Sequence, residues 1–456
     1  MGPRITRPSG GRVLISARFW TAPPLSRFSF TTPNPQDSSL SLKDSGGGCE
    51  SVRMQNNTYK TKRSPVTIMK TSLFSTLALA AASFLTITTF AQSTWQTVDD
   101  FQYTPGTGAA PFGITATPDG ALFVSGTGSD AANHQHGFVN RSLDGGDTWD
   151  LVFDLPGTSS GFCFAVSVAP SGTLWATSKA NAINAKTGAW YGTWLTHHST
   201  DGGATWILSD SFRGAGQEAA PFCTTVDAAG RIFVGGQVSD AQNRLHFTVR
   251  RSTDNGATWK TVDDLFSAPI SAAWGLTTTP TAVVAAGRIG NRWIVRRSTD
   301  GGSTWATVDN GLPDIGFAFG VAADAGGNLY AAGFTTITVN RVSQTHWITR
   351  RSVNGGTTWN TVDDYYPGAT AMPRGVGVDA FGRVFVTGSS AAGWTVRGST
   401  DGGATWTTTD TFRLTPAGSA NAVGVAGDPS GNVFVAGAVV GADGVNHAVV
   451  RKLAMP

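Results

Sequence analysis

The chain has 456 residues, with 57 glycines and 15 tryptophans, a formal net charge of +3 and an isoelectric point near 8.8. Most of the excess positive charge lies before residue 71, and residues 71–456 carry 22 basic and 27 acidic side chains. The basic balance therefore belongs to the N-terminal segment and gives no support for nucleic-acid binding. The low lysine content beyond that segment, with abundant threonine, glycine and alanine, is typical of an exported bacterial β-protein.

The first ninety residues differ in composition from the rest. Residues 1–68 are rich in proline, serine, glycine and arginine without periodicity, which predicts a disordered leader. Residues 69–91 show the features of a secretory signal: a lysine, an apolar stretch and a small-x-small site ending at Ala91. We expect translation to start at Met69, with the leader an over-extended start, and signal cleavage near Ala91 to give a secreted or periplasmic protein. In the alternative, the leader is retained and residues 71–91 form a membrane anchor.

One octapeptide, termed the box, recurs six times at intervals of 46 to 57 residues. A recurrence near 50 residues indicates stacked supersecondary units. Adjacent turn residues supply the positive φ of a tight hairpin, the Ser and Asp side chains can accept turn N–H groups, and the Trp can pin the hairpin to the sheet. The copies are SLDGGDTW (142–149), STDGGATW (199–206), STDNGATW (252–259), STDGGSTW (298–305), SVNGGTTW (352–359) and STDGGATW (399–406). Their structural residues are Asp144, Asp201, Asp254, Asp300, Asn354 and Asp401, with Trp149, Trp206, Trp259, Trp305, Trp359 and Trp406.

Each repeat is predicted to form four short antiparallel strands. The first two form a hairpin around a glycine turn, such as VDAAGRIFVGG (226–236), the third leads into the box, and the fourth follows the box. A strand with no box before it stands at 94–101, and a pre-box strand with no box after it stands at 447–453. These two fragments are complementary. The sequence therefore predicts an all-β fold over 92–456. We expect a seven-bladed β-propeller of four-stranded antiparallel blades, closed by the N-terminal strand joining the C-terminal blade.

The box resembles the Asp-box, or BNR, repeat S-x-D-x-G-x-T-W, with Asn354 in place of the aspartate in the fifth copy. The resemblance implies the sialidase-like β-propeller superfamily, and the chain looks closest to secreted bacterial seven-bladed BNR-repeat proteins. In such proteins the box is a structural hairpin on the face away from the active site. Sialidases of this type usually carry an Arg-Ile-Pro motif, an arginine triad, a Tyr/Glu nucleophile pair and an Asp acid/base. Residues 92–456 lack Arg-Ile-Pro and contain one glutamate, Glu218, so the sialidase catalytic set is missing.

Departures from the repeat identify the candidate ligand site. In a propeller, residues near the start of the innermost strands ring the mouth of the central channel. Here they are mostly aromatic, with one arginine, which suits an apolar or sugar ligand carrying an anionic group; the alternative is that they plug the channel as core. The ring is Phe112, Phe164, Phe222, Trp274, Phe319, Arg374 and Val423. The candidate ligand-binding residues are Arg374, Trp274, Glu218, Phe222, Phe319, Arg213, Arg292 and Tyr191.

Cysteine and histidine give no metal or cofactor site. Cys163 and Cys223 occupy equivalent innermost strands of neighbouring blades, which leaves a disulfide or two buried thiols as alternatives. Four histidines, His136, His246, His346 and His447, share one position of the repeat on a non-central strand, which puts them too far apart around the ring to share a metal. Most aspartates also recur with the repeat, so a structural role explains them better than the carboxylate pair of a glycosidase.

Two functions remain. The first is a secreted, non-catalytic, monomeric module that binds a glycan or an extracytoplasmic protein, without nucleic acid, cofactor or a stable membrane span after signal cleavage. The alternative is a sialidase-like, exo-acting glycoside hydrolase with a non-standard carboxylate pair. The sequence leaves open whether the chain is an enzyme, and we expect no catalytic residues.

Overall fold

A computed structural model describes residues 94–156, 160–266, 270–312 and 315–455, and every regular element in these ranges is a β-strand. The strands repeat in four positions, from the channel outwards. The innermost strands are β2 (Ala109–Ala116), β6 (Ser160–Val168), β10 (Ala219–Val226), β14 (Ser271–Thr279), β18 (Gly316–Ala323), β22 (Met372–Val378) and β26 (Ala420–Gly427). The second strands are β3 (Leu122–Ser129), β7 (Leu174–Ile183), β11 (Ile232–Ser239), β15 (Ala282–Ile289), β19 (Leu329–Val339), β23 (Val384–Ser390) and β27 (Val433–Val440).

The remaining strands complete the sheets. The third strands are β4 (Gln135–Ser142), β8 (Trp190–Ser199), β12 (Leu245–Ser252), β16 (Arg292–Ser298), β20 (Val342–Ser352), β24 (Gly393–Ser399) and β28 (Asn446–Leu453). The outer strands are β5 (Asp150–Pro156), β9 (Ile207–Phe212), β13 (Lys260–Leu265), β17 (Ala306–Asp309), β21 (Asn360–Tyr365), β25 (Thr407–Phe412) and β1 (Trp95–Phe101).

Strand pairing builds a ring of antiparallel sheets. Within the described ranges, the strands pair in groups of four, which are numbered blades 1 to 7. Blade 1 consists of β2–β5, and blade 7 consists of β26–β28 with β1. One bridge, from Gln135 to Ser160, links blades 1 and 2. Successive innermost strands contact each other, and β26 contacts β2. In blade 7, β1 pairs antiparallel with β28, from Trp95 opposite Leu453 to Phe101 opposite Ala448. The fold is an all-β propeller, as the sequence predicts. The leader and the signal segment lie outside the described residues.

Each box is a hairpin stabilised by its own side chains. In the first copy, Gly146 N donates to Ser142 Oγ at 2.9 Å, and that hydroxyl donates to Asp144 Oδ1 at 2.8 Å. Thr148 N also donates to Asp144 Oδ1, and Trp149 Nε1 donates to Gly146 O at 3.1 Å. Hydrogen bonds from Thr148 lower the pKa of Asp144 to about 2. The box therefore keeps its shape through contacts within eight residues.

The fifth copy keeps this geometry with an amide. Asn354 Oδ1 accepts from Ser352 Oγ and from Thr358 N, as the aspartates do, while its Nδ2 donates to Thr358 Oγ1 at 2.9 Å. In the other copies the threonine hydroxyl donates to the carboxylate, as in Thr405 Oγ1 to Asp401 Oδ2. The hydroxyl can act either as donor or as acceptor, so the substitution reverses one hydrogen bond without losing it.

Buried ion pairs join one blade to the next. An arginine of a third strand binds an aspartate on the outer strand of the preceding blade through Nε and Nη2, and its Nη1 donates to a threonine of its own blade. In blade 4, Arg296 Nε and Nη2 each lie 2.7 Å from Asp263, and Nη1 lies 3.1 Å from Thr307 Oγ1. The other pairs are Arg250–Asp210, Arg350–Asp309, Arg397–Asp363 and Arg451–Asp410. These bidentate pairs fix the orientation of neighbouring blades.

The closure seam, where blade 7 meets blade 1, lacks this pair. The arginine position of blade 1 holds Asn140, which is buried and whose Oδ1 has no hydrogen-bond partner. The aspartate position of blade 7 holds Asp99, which no arginine pairs with in the described part of the chain. Burial, reinforced by Asp100, raises the pKa of Asp99 to about 7. The seam that closes the ring therefore contains an uncompensated carboxyl group.

We expect the stability of the propeller to fall as pH rises from about 4 to 7, because the folded pKa of Asp99 lies above its unfolded value of 3.8. Below pH 4 the carboxyl is neutral in both states, whereas above pH 7 folding must bury a charge. Asp99→Asn should therefore be more stable than the parent at pH 8, with a smaller gain at pH 5, in urea unfolding at both pH values. The matched control Asp263→Asn should lose stability at pH 8, since it leaves Arg296 unpaired. A loss of stability in Asp99→Asn at pH 8 would contradict the prediction.

Cys163 and Cys223 are free, buried thiols, which corrects the disulfide alternative. The physical reason is that the two side chains belong to different spaces between blades. Cys163 packs with Phe123 and Val139, whereas Cys223 packs with residues of blade 4 and its Sγ lies 3.8 Å from Ala273 O. Burial raises the pKa of both thiols. They serve as small apolar core residues.

Candidate functional site

The ring of channel residues coincides with a bulge in the innermost strand of each blade. In blade 3 the register with β11 shifts between Pro221 and Cys223, so Phe222 has no partner opposite it. A bulge adds an unpaired residue and redirects its side chain. The residues at this position are Phe112, Phe164, Phe222, Trp274, Phe319, Arg374 and Val423, all half-buried. The bulges explain why the repeat varies here: these side chains leave the packed sheet and face the channel.

Aromatic rings of neighbouring blades contact each other in this ring. The centroids of Phe112 and Phe164 lie 5.0 Å apart, and those of Phe164 and Phe222 lie 5.3 Å apart. On the other side, Trp274 and Phe319 lie 5.0 Å apart. Such contacts support the interpretation of the aromatic residues as channel packing. Because the rings remain half-buried, they also present apolar surface to a ligand.

Two arginines lie against these aromatic residues, and neither has an acidic partner among the residues that the structure describes. The guanidinium carbon of Arg374 lies 5.2 Å from the Phe319 ring, and that of Arg288 lies 4.4 Å from Phe317 and 5.3 Å from Trp274. The Nε atoms of both arginines are buried without a hydrogen-bond partner. Burial lowers the pKa of Arg374 below its usual value and that of Arg288 to about 10. Partly desolvated cations without counter-charges favour an anionic ligand group.

Glu218 has a partner that sequence reasoning missed. Lys179 Nζ lies 2.7 and 2.9 Å from the two carboxylate oxygens of Glu218, and both side chains are largely buried. The same ammonium lies 5.6 Å from the Trp190 ring. Glu218 is thus occupied by an ion pair and is poorly suited to bind a ligand or to donate a proton. The sequence signal that could have revealed this ion pair was the position of Lys179, near the channel-mouth end of the second strand of blade 2 and next to blade 3.

The remaining candidates separate into two groups. Arg213 stacks on Tyr191, with the guanidinium carbon 3.7 Å from the ring centroid, so this pair stabilises the long β7–β8 hairpin. Arg292 is exposed at the start of β16, four residues beyond Arg288. The structure therefore brings Trp274, Phe319 and Arg374 together on one side of the channel, whereas Phe222 lies further round the ring. Asp314 lies outside the described residues.

Carboxylates of the described residues mostly have structural partners. Outer-strand aspartates bind the inter-blade arginines, and the next residue binds a histidine of the same blade, as in Asp364 Oδ1 to His346 Nδ1 at 2.6 Å. Within the described ranges, no group of three or more His, Cys, Asp or Glu side chains is arranged to hold a metal ion. None of the elements described there is a helix long and apolar enough to span a membrane.

A concavity of about 450 Å³ lies at the opposite end of the channel, where the innermost strands of blades 1 to 3 end. Its lining is uncharged and includes Thr115, Ser167 and Thr224, of which the last two hydroxyls lie 3.2 Å apart. It contains none of the predicted ligand-binding residues. This end carries the boxes, because the turn that ends each innermost strand and the box hairpin lie on the same side of the blade.

No protein-family model and no curated protein matches the chain. Solved structures with a similar fold include a Dyadobacter fermentans protein of unknown function, 17% identical, with a TM-score of 0.47, covering 79% of this chain and 99% of that one. YCF48 bound to a D1 peptide is 14% identical, with a TM-score of 0.48, covering 79% and 96%. An α-L-arabinofuranosidase from Fusarium graminearum in complex with an iminosugar inhibitor is 14% identical, with a TM-score of 0.43, covering 80% and 96%. A fold by itself does not fix a function, so the function is argued from the site.

Proposed function

We propose that the chain is a secreted, monomeric Asp-box propeller of the BNR-repeat type that binds a glycan or an extracytoplasmic protein without catalysis. The observation that carries the proposal is Arg374, a cation placed by a bulge on the channel wall, against Phe319 and without an acidic partner among the described residues. A negative group of the ligand would supply the missing counter-charge, and the half-buried rings of Trp274 and Phe319 would contact its apolar part.

The competing function, glycoside hydrolysis, needs two carboxylic groups at a defined separation, one of them free to donate a proton. Glu218 is the one glutamate in residues 92–456, and Lys179 Nζ binds both of its carboxylate oxygens. The outer-strand aspartates support the blades and lie away from the channel. These assignments favour binding over catalysis. Export follows, in this proposal, from the signal segment 69–91.

We expect Arg374→Ala and Trp274→Ala each to weaken ligand binding by about 1–3 kcal/mol, the cost of removing a central charged or aromatic anchor. A glycan array and a panel of chromogenic and fluorogenic glycosides, including a sialoside, provide the measurements, followed by titration of any ligand found. The control Asp401→Ala should lower the melting temperature and leave the affinity of the folded protein unchanged. Turnover of the sialoside that is lost in Glu218→Gln would overturn the proposal in favour of the hydrolase.

A further inference from the structure

Four exposed aliphatic side chains lie on the channel-mouth face of blades 4 and 5. Ile270 and Ile315 precede the innermost strands β14 and β18, and each is 44% exposed. Val339 and Val342 flank the tip of the β19–β20 hairpin and are 39% and 59% exposed. These four residues are termed the blade 4–5 rim. Aliphatic surface left in water at one place on a protein indicates an interaction site.

Backbone hydrogen bonds make the rim continuous. Gly290 N donates to Ile270 O at 2.8 Å, which joins the start of blade 4 to the β15–β16 turn. Gly316 N donates to Asn291 O at 2.9 Å across the boundary between the blades. Thr336 N donates to Ile315 O at 2.7 Å and joins the start of blade 5 to the β19–β20 hairpin. The aliphatic side chains therefore stand on segments that are fixed to one another.

Three arginines lie beside the rim, on the adjoining turn and along the neighbouring channel wall. Arg292 is exposed on the same turn that Gly290 and Asn291 form, and Arg288 lies on the strand leading into it, above Phe317. Phe319 connects this group to Arg374. In the described part of the chain, none of the three arginines forms an ion pair with an acidic residue. A partner that covers the rim and reaches these arginines would therefore bring negative charge together with apolar surface.

We infer that the blade 4–5 rim docks a protein segment in which a carboxylate side chain is flanked by aliphatic residues. This inference rests on the proposed binding function and selects a protein partner over a glycan. Exposed isoleucine and valine gain free energy when covered by other apolar side chains, and gain little against the hydroxyl groups of a sugar. The arrangement also matches that of interfaces in which a buried arginine is surrounded by apolar contacts.

The test uses a synthetic array of nine-residue peptides with a central glutamate, glutamine or lysine and flanks drawn from aliphatic, polar, acidic and basic residues. We expect retained peptides to have a central glutamate with aliphatic flanks, and the matched glutamine peptides to bind at least tenfold more weakly. Binding should weaken as salt increases, because the central contact is ionic. Val342→Ser and Ile315→Ser should each reduce affinity by about tenfold, the effect expected for losing a hot-spot contact above 1 kcal/mol.

Val353→Ser is the matched control, because Val353 is 64% exposed in the box of blade 5, on the opposite face. It should leave peptide affinity unchanged, and all three variants should keep the parent melting temperature. Peptide binding that is insensitive to Val342→Ser and Ile315→Ser would overturn the rim as the docking site. Glycan binding at Arg374 with no peptide selection would overturn this inference while the proposed function stands. Binding of neither class would overturn both.

Discussion

Removing β28 is expected to unfold the whole propeller rather than one blade. A chain ending at Asn446 loses Val449, Val450 and Leu453, which are buried and contribute roughly 1.5–3 kcal/mol each. It also leaves β1 and β27 without the strand that lies between them, so the ring opens at two sheet edges. The loss is comparable with the total stability of a domain, about 5–15 kcal/mol. Calorimetry should show no cooperative transition above room temperature.

A chain ending at Leu453 is the matched control for this truncation. Beyond Leu453, Ala454 and Met455 are exposed, and Met455 N donates one hydrogen bond to Asn432 Oδ1. The control should melt within a few degrees of the parent. A melting transition that is unchanged after removal of β28 would show that closure by strand exchange does not stabilise the ring.

The second large effect concerns the inter-blade ion pairs. Arg296→Ala should lower the free energy of unfolding by about 3–5 kcal/mol, because it leaves the buried carboxylate of Asp263 without its partner. Urea unfolding at pH 7 measures the change. The control Arg292→Ala, on the same strand but exposed, should change stability by less than about 0.5 kcal/mol.

A double variant separates the charge from the packing at this position. Arg296→Met combined with Asp263→Leu removes both charges and keeps apolar volume, so much of the loss should be recovered. The closure seam offers the converse change, since Asn140→Arg would place an arginine where five of the other seams have one, facing Asp99. If Arg296→Ala proved as stable as the parent, the pairs could not be what orients neighbouring blades.

The sequence was sufficient for the repeat and for the pairing of the N-terminal strand with the C-terminal blade. The box depends on contacts among residues such as Ser142, Asp144 and Gly146, which are close along the chain, so its hairpin can be inferred from local turn chemistry. Closure could be inferred because the fragments at 94–101 and 447–453 are the complementary parts of one repeat. Each residue of the predicted channel ring stands at a bulge of its innermost strand, and this bulge was visible only in the strand register.

The tertiary structure decided which side chains meet across blades. The sequence placed Glu218 among ligand residues, and only the folded chain brought Lys179 against it from 39 residues away. Equivalent positions suggested that Cys163 and Cys223 could pair, yet their side chains pack into different inter-blade spaces.

The physical reason is that a repeat pattern reports what all blades share, which is backbone geometry and core packing. A functional site is built from the residues that depart from the repeat. Their partners lie on neighbouring blades, at sequence separations that vary with loop length. By itself the sequence determined the propeller, the boxes and the face that carries the candidate site. Only the fold decided that Glu218 pairs with Lys179, and that Arg288 and Arg374 have no counter-charge in the described ranges, because pairing depends on distances between blades.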